Sequence, residues 1–396
     1  MNILICNVGS TSLKYQLLDM TSETALAQGK MERVGTTKAT FSHRDINGNR
    51  FERELPLPSH KEGIEHMLGA IIGPVVPSIK DIDCVGFKVV LAKNITGVQL
   101  LTEEVLEAME AMNGIAPAHN PPYIAAIRQF RAVAPSIPLI GSFETGFHRH
   151  LPPQAYLYSI PKEYATQYGV RRYGYHGASH EYVSQRVSEL SGRKDLKLIT
   201  CHLGGSGSLA AVKEGTSIDT TLGFSLQCGI MHNNRCGDID PYLPIYLQEE
   251  HHMSLEEVKT LLTKKSGLLG LSGISNDMRD IELAAEKGNI DAQETIATYS
   301  YYLKKQIGAY AAAMGGLDAI AFAGGIGENS AIVREQTLKG LEFLGVELDT
   351  RKNQGFRQEG IISTPTSKVT VYVIPTNEEI VVARKAKQYL DEHQTK

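Results

Sequence analysis

The chain has no Cys-x-x-Cys pair, no block of like charge, no basic leader ahead of its first apolar run and no apolar stretch of membrane-spanning length. Each absence excludes something. The five cysteines (Cys6, Cys84, Cys201, Cys228 and Cys236) are odd in number and scattered, which argues for a reducing compartment and against a disulfide framework or a zinc site. A net charge of −4 with the signs interspersed argues against a nucleic-acid groove and an anionic-membrane patch as partners. With neither leader nor span, a cytoplasmic location is expected. Low-complexity segments and long linkers are also missing. What is there is 396 residues, 42% hydrophobic and 21% charged, an ordinary globular composition with length for two or three domains.

Residues 6–15 read CNVGSTSLKY, and residues 201–212 read CHLGGSGSLAAV. Each passes from an apolar run through a polar residue into a Gly/Ser turn, then resumes with apolar residues. Strands are expected at 2–6 and 13–19, and again at 197–203 and 208–213. Both units are strand–turn–strand, which separates them from the P-loop and Rossmann fingerprints, whose glycines open a helix. Either turn can be a plain hairpin connection, or its N–H groups and hydroxyls can meet phosphate oxygens. Two of them at half-chain spacing point to an internal duplication whose halves face one ligand.

Helices are expected at 102–112 behind Thr102, at 254–266 behind a Ser254/Glu257 capping box, and at 291–314 ahead of Gly315-Gly316. Strands are expected at 317–323 and 369–374, and a final helix from about 379 to 396. The alternation gives an α/β class with two joined lobes.

Four stretches carry chemistry. FAGGIGENSAIV (322–333) ends a buried strand in a Gly-rich turn where a nucleotide could lie against the backbone, with Asn329-Ser330 capping the next helix. A strand–helix loop with extra glycines is the other reading. RRYGYHGASH (171–180) sets His176 and His180 four apart without the Glu of a zincin pair, so structural hydrogen bonding or anionic ligands are expected rather than a metal. NNRCGDIDP (233–241) offers either an Arg235 pair with Asp238 or Asp240, or a guanidinium aimed at a phosphoryl or carboxylate group. TNEE (376–379) puts carboxylates at the mouth of a strand, where a hydrated Mg²⁺ could be held. Together they describe phosphoryl transfer.

Taken in order, the motifs resemble the acetate kinase family, within the acetate and sugar kinase/Hsp70/actin superfamily. The matching stretches are NVGSTSLKYQ (7–16), APAHNP (116–121), AYLYSIP (155–161), RRYGYHGASH, HLGGSGS (202–208), RCGDIDP (235–241), SNDMRDI (275–281), GGIGENS (324–330) and TNEE. The resemblance implies two duplicated actin-like ATPase (ribonuclease H-like) domains with the active site in the cleft between them. The first would span 1–149, joined by the helix at about 379–396, and the second, nucleotide-binding, 150–378. It implies ATP + carboxylate ⇌ ADP + acyl phosphate by direct in-line transfer, with ATP/ADP and Mg²⁺ as cofactors and a homodimer as assembly.

Position by position, Asn7 and Glu378 match the magnesium site, and Ser10, Ser12, Lys14, His202, Gly204 and Gly205 the phosphate region. Asp277, Met278, Arg279, Gly324, Gly325, Ile326, Gly327 and Glu328 match the adenosine site, and Arg235 and His176 the transition-state stabilisers. Glu144 and Lys88 stand at catalytic positions, while Lys88, Val90, Ala118, Tyr175 and Leu226 match the acyl pocket. A carboxylate acceptor is ionised at neutral pH, so the site needs cations rather than a general base.

The acceptor side departs from the family. GFKVVLAKN (86–94) stands for GHRVVHGGE, so the carboxylate-clamping arginine is Lys88; FETGFH (143–148) stands for FDTAFH, so the catalytic aspartate is Glu144. Gly205 replaces the Asn of HLGNGSS, and HNNR (232–235) replaces MGTR. Ala118 replaces Leu, Tyr175 Phe and Leu226 Pro, while Val90 is retained. The expected function is a kinase of acetate or a related short-chain acid. The alternatives are a kinase for a larger or more polar acid, suggested by the volume vacated at Ala118, the added Tyr175 hydroxyl, and the flexible Lys88 and longer Glu144, or a nucleotide-binding paralogue with little activity. Tyr299, Tyr301 and Tyr302 on the helix at 291–314 offer either a dimer surface or core packing.

Overall fold

The computed structural model describes residues 1–393, so the last part of the expected final helix, 394–396, lies outside the described residues. Strands β1 (Asn2–Gly9) and β2 (Ser12–Asp19) form the first expected hairpin, with Gly9 opposite Ser12 and Asn7 opposite Lys14. The meander continues antiparallel through β3 (Thr24–Glu32), β4 (Thr36–Asp45) and β5 (Arg50–Leu57). On the other side, β6 (Cys84–Val89) runs parallel to β1. Next along the chain come β7 (Val98–Leu100) and β8 (Leu139–Phe143); β8 lies parallel to β6, and β7 closes the edge antiparallel to β8.

The second sheet comprises β9 (Lys197–Leu203), β10 (Gly207–Lys213), β11 (Thr216–Thr220), β12 (Ala319–Ala323), β13 (Gly360–Ile361) and β14 (Thr370–Val373). Its order, β11-β10-β9-β12-β14-β13, matches β3-β2-β1-β6-β8-β7 of the first sheet direction for direction. Both have a three-strand meander, two parallel strands, and an antiparallel edge strand that precedes its neighbour in the chain. The text repeated in the sequence is therefore a repeated sheet, and β4–β5 extend the first copy alone. Strands β8 and β12 are buried at every position, as befits sheet interiors covered on both faces.

The chain divides into two compact units, Met1–Arg149 with the segment from Asn377 onward, and His150–Thr376. The helix Glu378–His393 packs on β1 and β6 of the first unit. Gly86 permits this: a Cβ there would lie 2.7 Å from Ile5 Cδ1 and 3.2 Å from Val382 Cγ1. Val382 and Ala386 face Gly86, and Val381 and Ala383 on the same helix are also buried, each valine worth roughly 1.5–3 kcal/mol.

In the second unit, the helix Ile290–Met314 packs on β9 and β10 through residues such as Leu303 and Ile307. Tyr299 is buried with them and so belongs to the core rather than to any contact surface, whereas Tyr301 and Tyr302 are exposed. The capping box forms as expected: Ser254 N–H donates to Glu257 Oε2 at 2.8 Å, and Glu257 N–H to Ser254 Oγ at 3.3 Å. One expectation fails. The glycine-rich stretch after β12 is not an open turn but a short helix, Gly324–Asn329, with Ser330 capping a second one, Ala331–Leu338. Gly324 (φ +76°) turns the chain out of the strand so close to β9 that a Cβ would sit 2.8 Å from Leu203 O. Among the described residues, no helix is long and apolar enough to cross a membrane.

Candidate functional site

Within the second unit a cavity of about 530 Å³ gathers Gly204, Gly205, Asp277, Met278, Arg279, Gly325 and Ile326 from the expected set. It also takes in Asn233, Asn276, Glu282, Asn329, Ser330 and Arg357, none of which was among the expected site residues, although Asn329 and Ser330 were read as helix caps. Asn276, Asn329 and Ser330 sit inside recognised motifs and could have been found there. Arg357 lies in a stretch with no motif and gave no signal.

Asp277 caps the helix Met278–Glu286, accepting Arg279 N–H at 2.9 Å and the Arg279 guanidinium at 2.5 Å. Those hydrogen bonds hold its carboxyl below the usual aspartate range. Gly325 leaves open space, since a Cβ there would meet nothing within 4 Å. Gly327 faces inward instead, its Cβ position 3.5 Å from Phe322 Cβ and 3.6 Å from Cys201 O. Glu328 is a brace, Oε1 accepting Gly324 N–H at 2.9 Å and Thr376 N–H at 3.3 Å. Neither Gly324, Gly327 nor Glu328 lines the cavity.

Arg334, unforeseen and fully buried, fixes this helix from behind. It donates to Gly327 O and Glu328 O, both at 2.9 Å, and to Asn353 Oδ1, Asn353 O and Phe356 O at 2.8, 3.1 and 3.2 Å. Burial brings its pKa down to about 10 against the opposing pull of Glu282. An arginine in a polar helical pattern reads as solvent-facing, which is why the sequence concealed it.

The β9–β10 hairpin sets His202 opposite Ser208, and the helix Gly177–Ser191 packs on β9. Ser208 Oγ lies 2.8 Å from His176 Nδ1 and 2.7 Å from His180 Nε2; His180 Nδ1 lies 2.7 Å from Thr200 Oγ1. His202 Nδ1 meets Ser179 Oγ at 2.7 Å, and its ring centroid is 4.4 Å from that of His176. The two histidines of RRYGYHGASH are thus joined through a hydroxyl. Among the described residues, no group of three or more His, Cys, Asp or Glu is placed to hold a metal ion.

Arg235 is half-buried, and burial lowers its pKa. No carboxylate among the described residues pairs with it: Asp238 accepts Gly229 N–H at 2.7 Å and Asp240 accepts Tyr242 N–H at 2.8 Å. The Arg–Asp loop pair is therefore not formed. Nη1 donates to Leu226 O at 2.5 Å, leaving a desolvated guanidinium suited to an anionic ligand. Beside it His232 is buried, its Nδ1 accepting Gly207 N–H and its Nε2 facing Cys228 O, each at 3.1 Å. Burial and then the Arg235 charge depress its pKa to about 4. Leu226 and Tyr175 are buried, and the Tyr175 hydroxyl donates to Phe224 O at 2.8 Å. That hydroxyl is spent inside the protein, which removes one of the expected reasons for preferring a polar acid.

In the first unit, Lys88 on β6, Glu144 just beyond β8 and Glu378 at the start of the last helix come together. The Lys88 ammonium pairs with the Glu378 carboxylate. Burial alone would lower the lysine pKa, but the charges of Glu144 and Glu378 outweigh it and hold it above the ordinary lysine value. Asn7 Oδ1 accepts the Tyr123 hydroxyl at 2.9 Å, and burial pushes that phenol up to about 12. Ser10 and Lys14 are exposed, and Ser12 is half-buried beside them. His60, which the sequence did not single out, braces the turn, with Nε2 3.0 Å from Gly9 O and 3.3 Å from Ser12 O. Val90 is buried and Ala118 exposed.

The model of the acetokinase family matches residues 2–384. The chain is 46% identical over 394 residues to an acetate kinase of Clostridium botulinum, covering 98% of this chain and 99% of that one. It is 44% identical over 389 residues to an acetate kinase of Desulfitobacterium hafniense, covering 97% and 98%. Among solved structures, Porphyromonas gingivalis acetate kinase superposes with a TM-score of 0.91 at 37% identity, covering 98% of this chain and 99% of that one. A propionate kinase from Francisella tularensis superposes with a TM-score of 0.90 at 32% identity, covering 97% and 98%.

Proposed function

Because the chain belongs to the acetate kinase family, we infer that it is an ATP-using phosphotransferase with a carboxyl acceptor, converting ATP and a short-chain carboxylate to ADP and an acyl phosphate. The observation that carries this is the 46% identity to an acetate kinase over essentially the whole of both chains. A nucleotide-binding paralogue without activity is the weaker reading, since Arg235 is kept and is left without a counter-charge.

Individual roles are our assignment. The cavity lined by Asp277, Met278, Gly325 and Ile326 takes the nucleoside, and the β9–β10 hairpin takes its phosphates. Arg235 spans oxygens of the transferred group, and His176 donates to the same charge as it builds. The acceptor carboxylate attacks without giving up a proton, so no base is required. Lys88, kept cationic by Glu144 and Glu378, offsets the repulsion between two anions as they approach.

Asn7 and Glu378 supply hard oxygen donors, the type Mg²⁺ takes alongside phosphate oxygens and water. The Lys88 ammonium already occupies one Glu378 oxygen, so a cation there would use the other oxygen or displace the lysine. Mg²⁺ bound there would neutralise charge on the phosphate oxygens. We propose acetate or propionate as the acid, because the Tyr175 hydroxyl is engaged and adds no polar recognition. We further propose a cytoplasmic homodimer, with the exposed Tyr301 and Tyr302 as candidate contact residues.

The test is a hydroxylamine trap for acyl phosphate, run with Mg-ATP across two- to five-carbon acids, hydroxy acids and amino acids. Hydroxamate from acetate or propionate at the highest kcat/KM is expected. No hydroxamate from any acid would refute the reading.

A further inference from the structure

Four side chains of the second unit form one line of hydrogen bonds: Thr200 Oγ1 to His180 Nδ1, His180 Nε2 to Ser208 Oγ, and Ser208 Oγ to His176 Nδ1, at 2.7, 2.7 and 2.8 Å. Thr200, His180 and Ser208 are each at most 1% exposed, so water does not complete their bonding. A hydroxyl has one proton to give, and a neutral imidazole has one nitrogen that donates and one that accepts. These two rules fix every proton in the line.

The Thr200 hydroxyl has no other hydrogen-bond partner among the described residues, so its proton is satisfied only if it donates to His180 Nδ1. His180 Nδ1 then carries no proton, and the ring proton is on Nε2, where it donates to Ser208 Oγ. Ser208, having accepted from one histidine, directs its own proton to the other, and its second contact is His176 Nδ1. His176 Nδ1 is thereby an acceptor, and its proton resides on Nε2. Reversing the line would leave the Thr200 proton buried without an acceptor.

We propose that Thr200, His180 and Ser208 are positioning residues that lock His176 as the Nε2–H tautomer, so that it presents a hydrogen-bond donor to the transferring phosphoryl group while still uncharged. Which nitrogen of a histidine carries the proton is set by the bond its other nitrogen makes, and a wrong tautomer disables a catalytic histidine even when its position is kept. The functional half of this proposal rests on the carboxylate-kinase reading; the tautomer does not.

The experiment uses full-length protein labelled with ¹⁵N-histidine, with the His176 signals assigned by their loss in His176→Asn. Wild type is expected to show a pyridine-type Nδ1 and a protonated Nε2 on His176. Thr200→Val, which keeps the shape but removes the donor, is expected to let His180 and His176 exchange tautomers. It should lower kcat at least roughly tenfold, the scale on which orienting partners act, with nucleotide KM within about twofold. Thr200→Ser restores the hydroxyl and should restore both spectrum and kcat. Should Thr200→Val fold poorly, Ser208→Ala breaks the line one link later and is read the same way.

A protonated Nδ1 on His176 in wild type, or a spectrum unchanged by Thr200→Val and Ser208→Ala alike, overturns the proposal. A tautomer shift with unchanged kcat overturns the catalytic role while leaving the kinase reading intact. Failure of wild type to make any acyl phosphate defeats that reading and, with it, the catalytic role.

Discussion

His232 stands where the acetate kinase pattern has methionine, and it gives this chain a pH dependence that a methionine could not. The ring is buried, accepts Gly207 N–H at Nδ1, and faces Cys228 O with Nε2, so it is already satisfied as a neutral imidazole. A second proton would displace the Gly207 bond and place a charge beside Arg235. Burial first and Arg235 second depress its pKa from 6.5 to about 4. In the unfolded chain the residue protonates at the ordinary value, so between pH 6.5 and 4 the unfolded state binds a proton the native state refuses. Stability from this residue is therefore intact above pH 6.5 and is lost as pH falls toward 4. At 1.36 kcal/mol per unit, a shift of that size amounts to about 3 kcal/mol. Urea unfolding of wild type and His232→Gln, which keeps an acceptor for Gly207, should be compared from pH 7.5 to 4. The difference between the two profiles is expected to change by about 3 kcal/mol across the window, with the variant flatter. A difference that stays constant with pH would refute the reasoning.

Gly325→Leu should fill the open cavity and abolish the rise in Tm that Mg-ADP gives wild type, whereas Gly327→Ala, whose Cβ would meet neighbours only at 3.4–3.6 Å, should retain it. Equal shifts in both would move the nucleotide elsewhere. Arg235→Ala is expected to lose on the order of 10³ in kcat, the scale of a lost transition-state cation, while the ADP shift persists. Near-full turnover would withdraw its assignment. Arg334→Met should destabilise the protein by about 3–5 kcal/mol in urea unfolding, because the carbonyls of Gly327, Glu328, Asn353 and Phe356 lose a buried partner together. A loss below about 1 kcal/mol would show that those carbonyls find other donors.

Local chemistry was legible in the sequence. The two hairpins and the Ser254/Glu257 box are decided by neighbours within a few residues, and they formed where expected. The twin sheets were visible only as a hairpin repeat, because β6, β8, β12 and β14 are joined by parallel pairings between segments far apart in the chain. Arg334 was invisible for a related reason: its acceptors include Asn353 and Phe356, about twenty residues on, and nothing local marks an arginine as buried. His180 was noticed for its spacing to His176, but its role depends on Thr200, a strand residue in no motif, and on Ser208, whose motif HLGGSGS was read for phosphate contacts rather than for a histidine. Glycine-rich text was misread as an open turn at 324–329 because glycine's freedom is compatible with several backbones; the nearness of Leu203 selects the one adopted.

The departures on the acceptor side read as losses when taken one at a time, but in space two pairs of them compensate. Gly205 lacks the amide that the family pattern places there, yet a Cβ at Gly205 would lie 3.1 Å from Asn233 Nδ2. Asn233 occupies the glycine position of MGTR, so an amide has moved from one loop to its neighbour, and the backbones remain joined by Asn233 N–H to Gly205 O at 3.0 Å. An asparagine restored at 205 alone would crowd the Asn233 amide, which would have to give way by a few tenths of an ångström. The same logic covers the charged cluster of the first unit. Lysine for arginine keeps the positive charge but gives up the planar fork, and glutamate for aspartate keeps the negative charge and adds a methylene of reach. The result remains one ammonium set among two carboxylates, with Lys88 paired to Glu378 and held cationic by Glu144 as well. A site drifting without selection would lose charges singly and leave buried partners uncompensated, at several kcal/mol each. At these two places charge and amide content are kept while their carriers change, as expected of an enzyme that keeps its reaction, whereas Phe87, Leu91, Lys93 and Asn94, in place of the two histidines, the second glycine and the glutamate of GHRVVHGGE, have no such exchange.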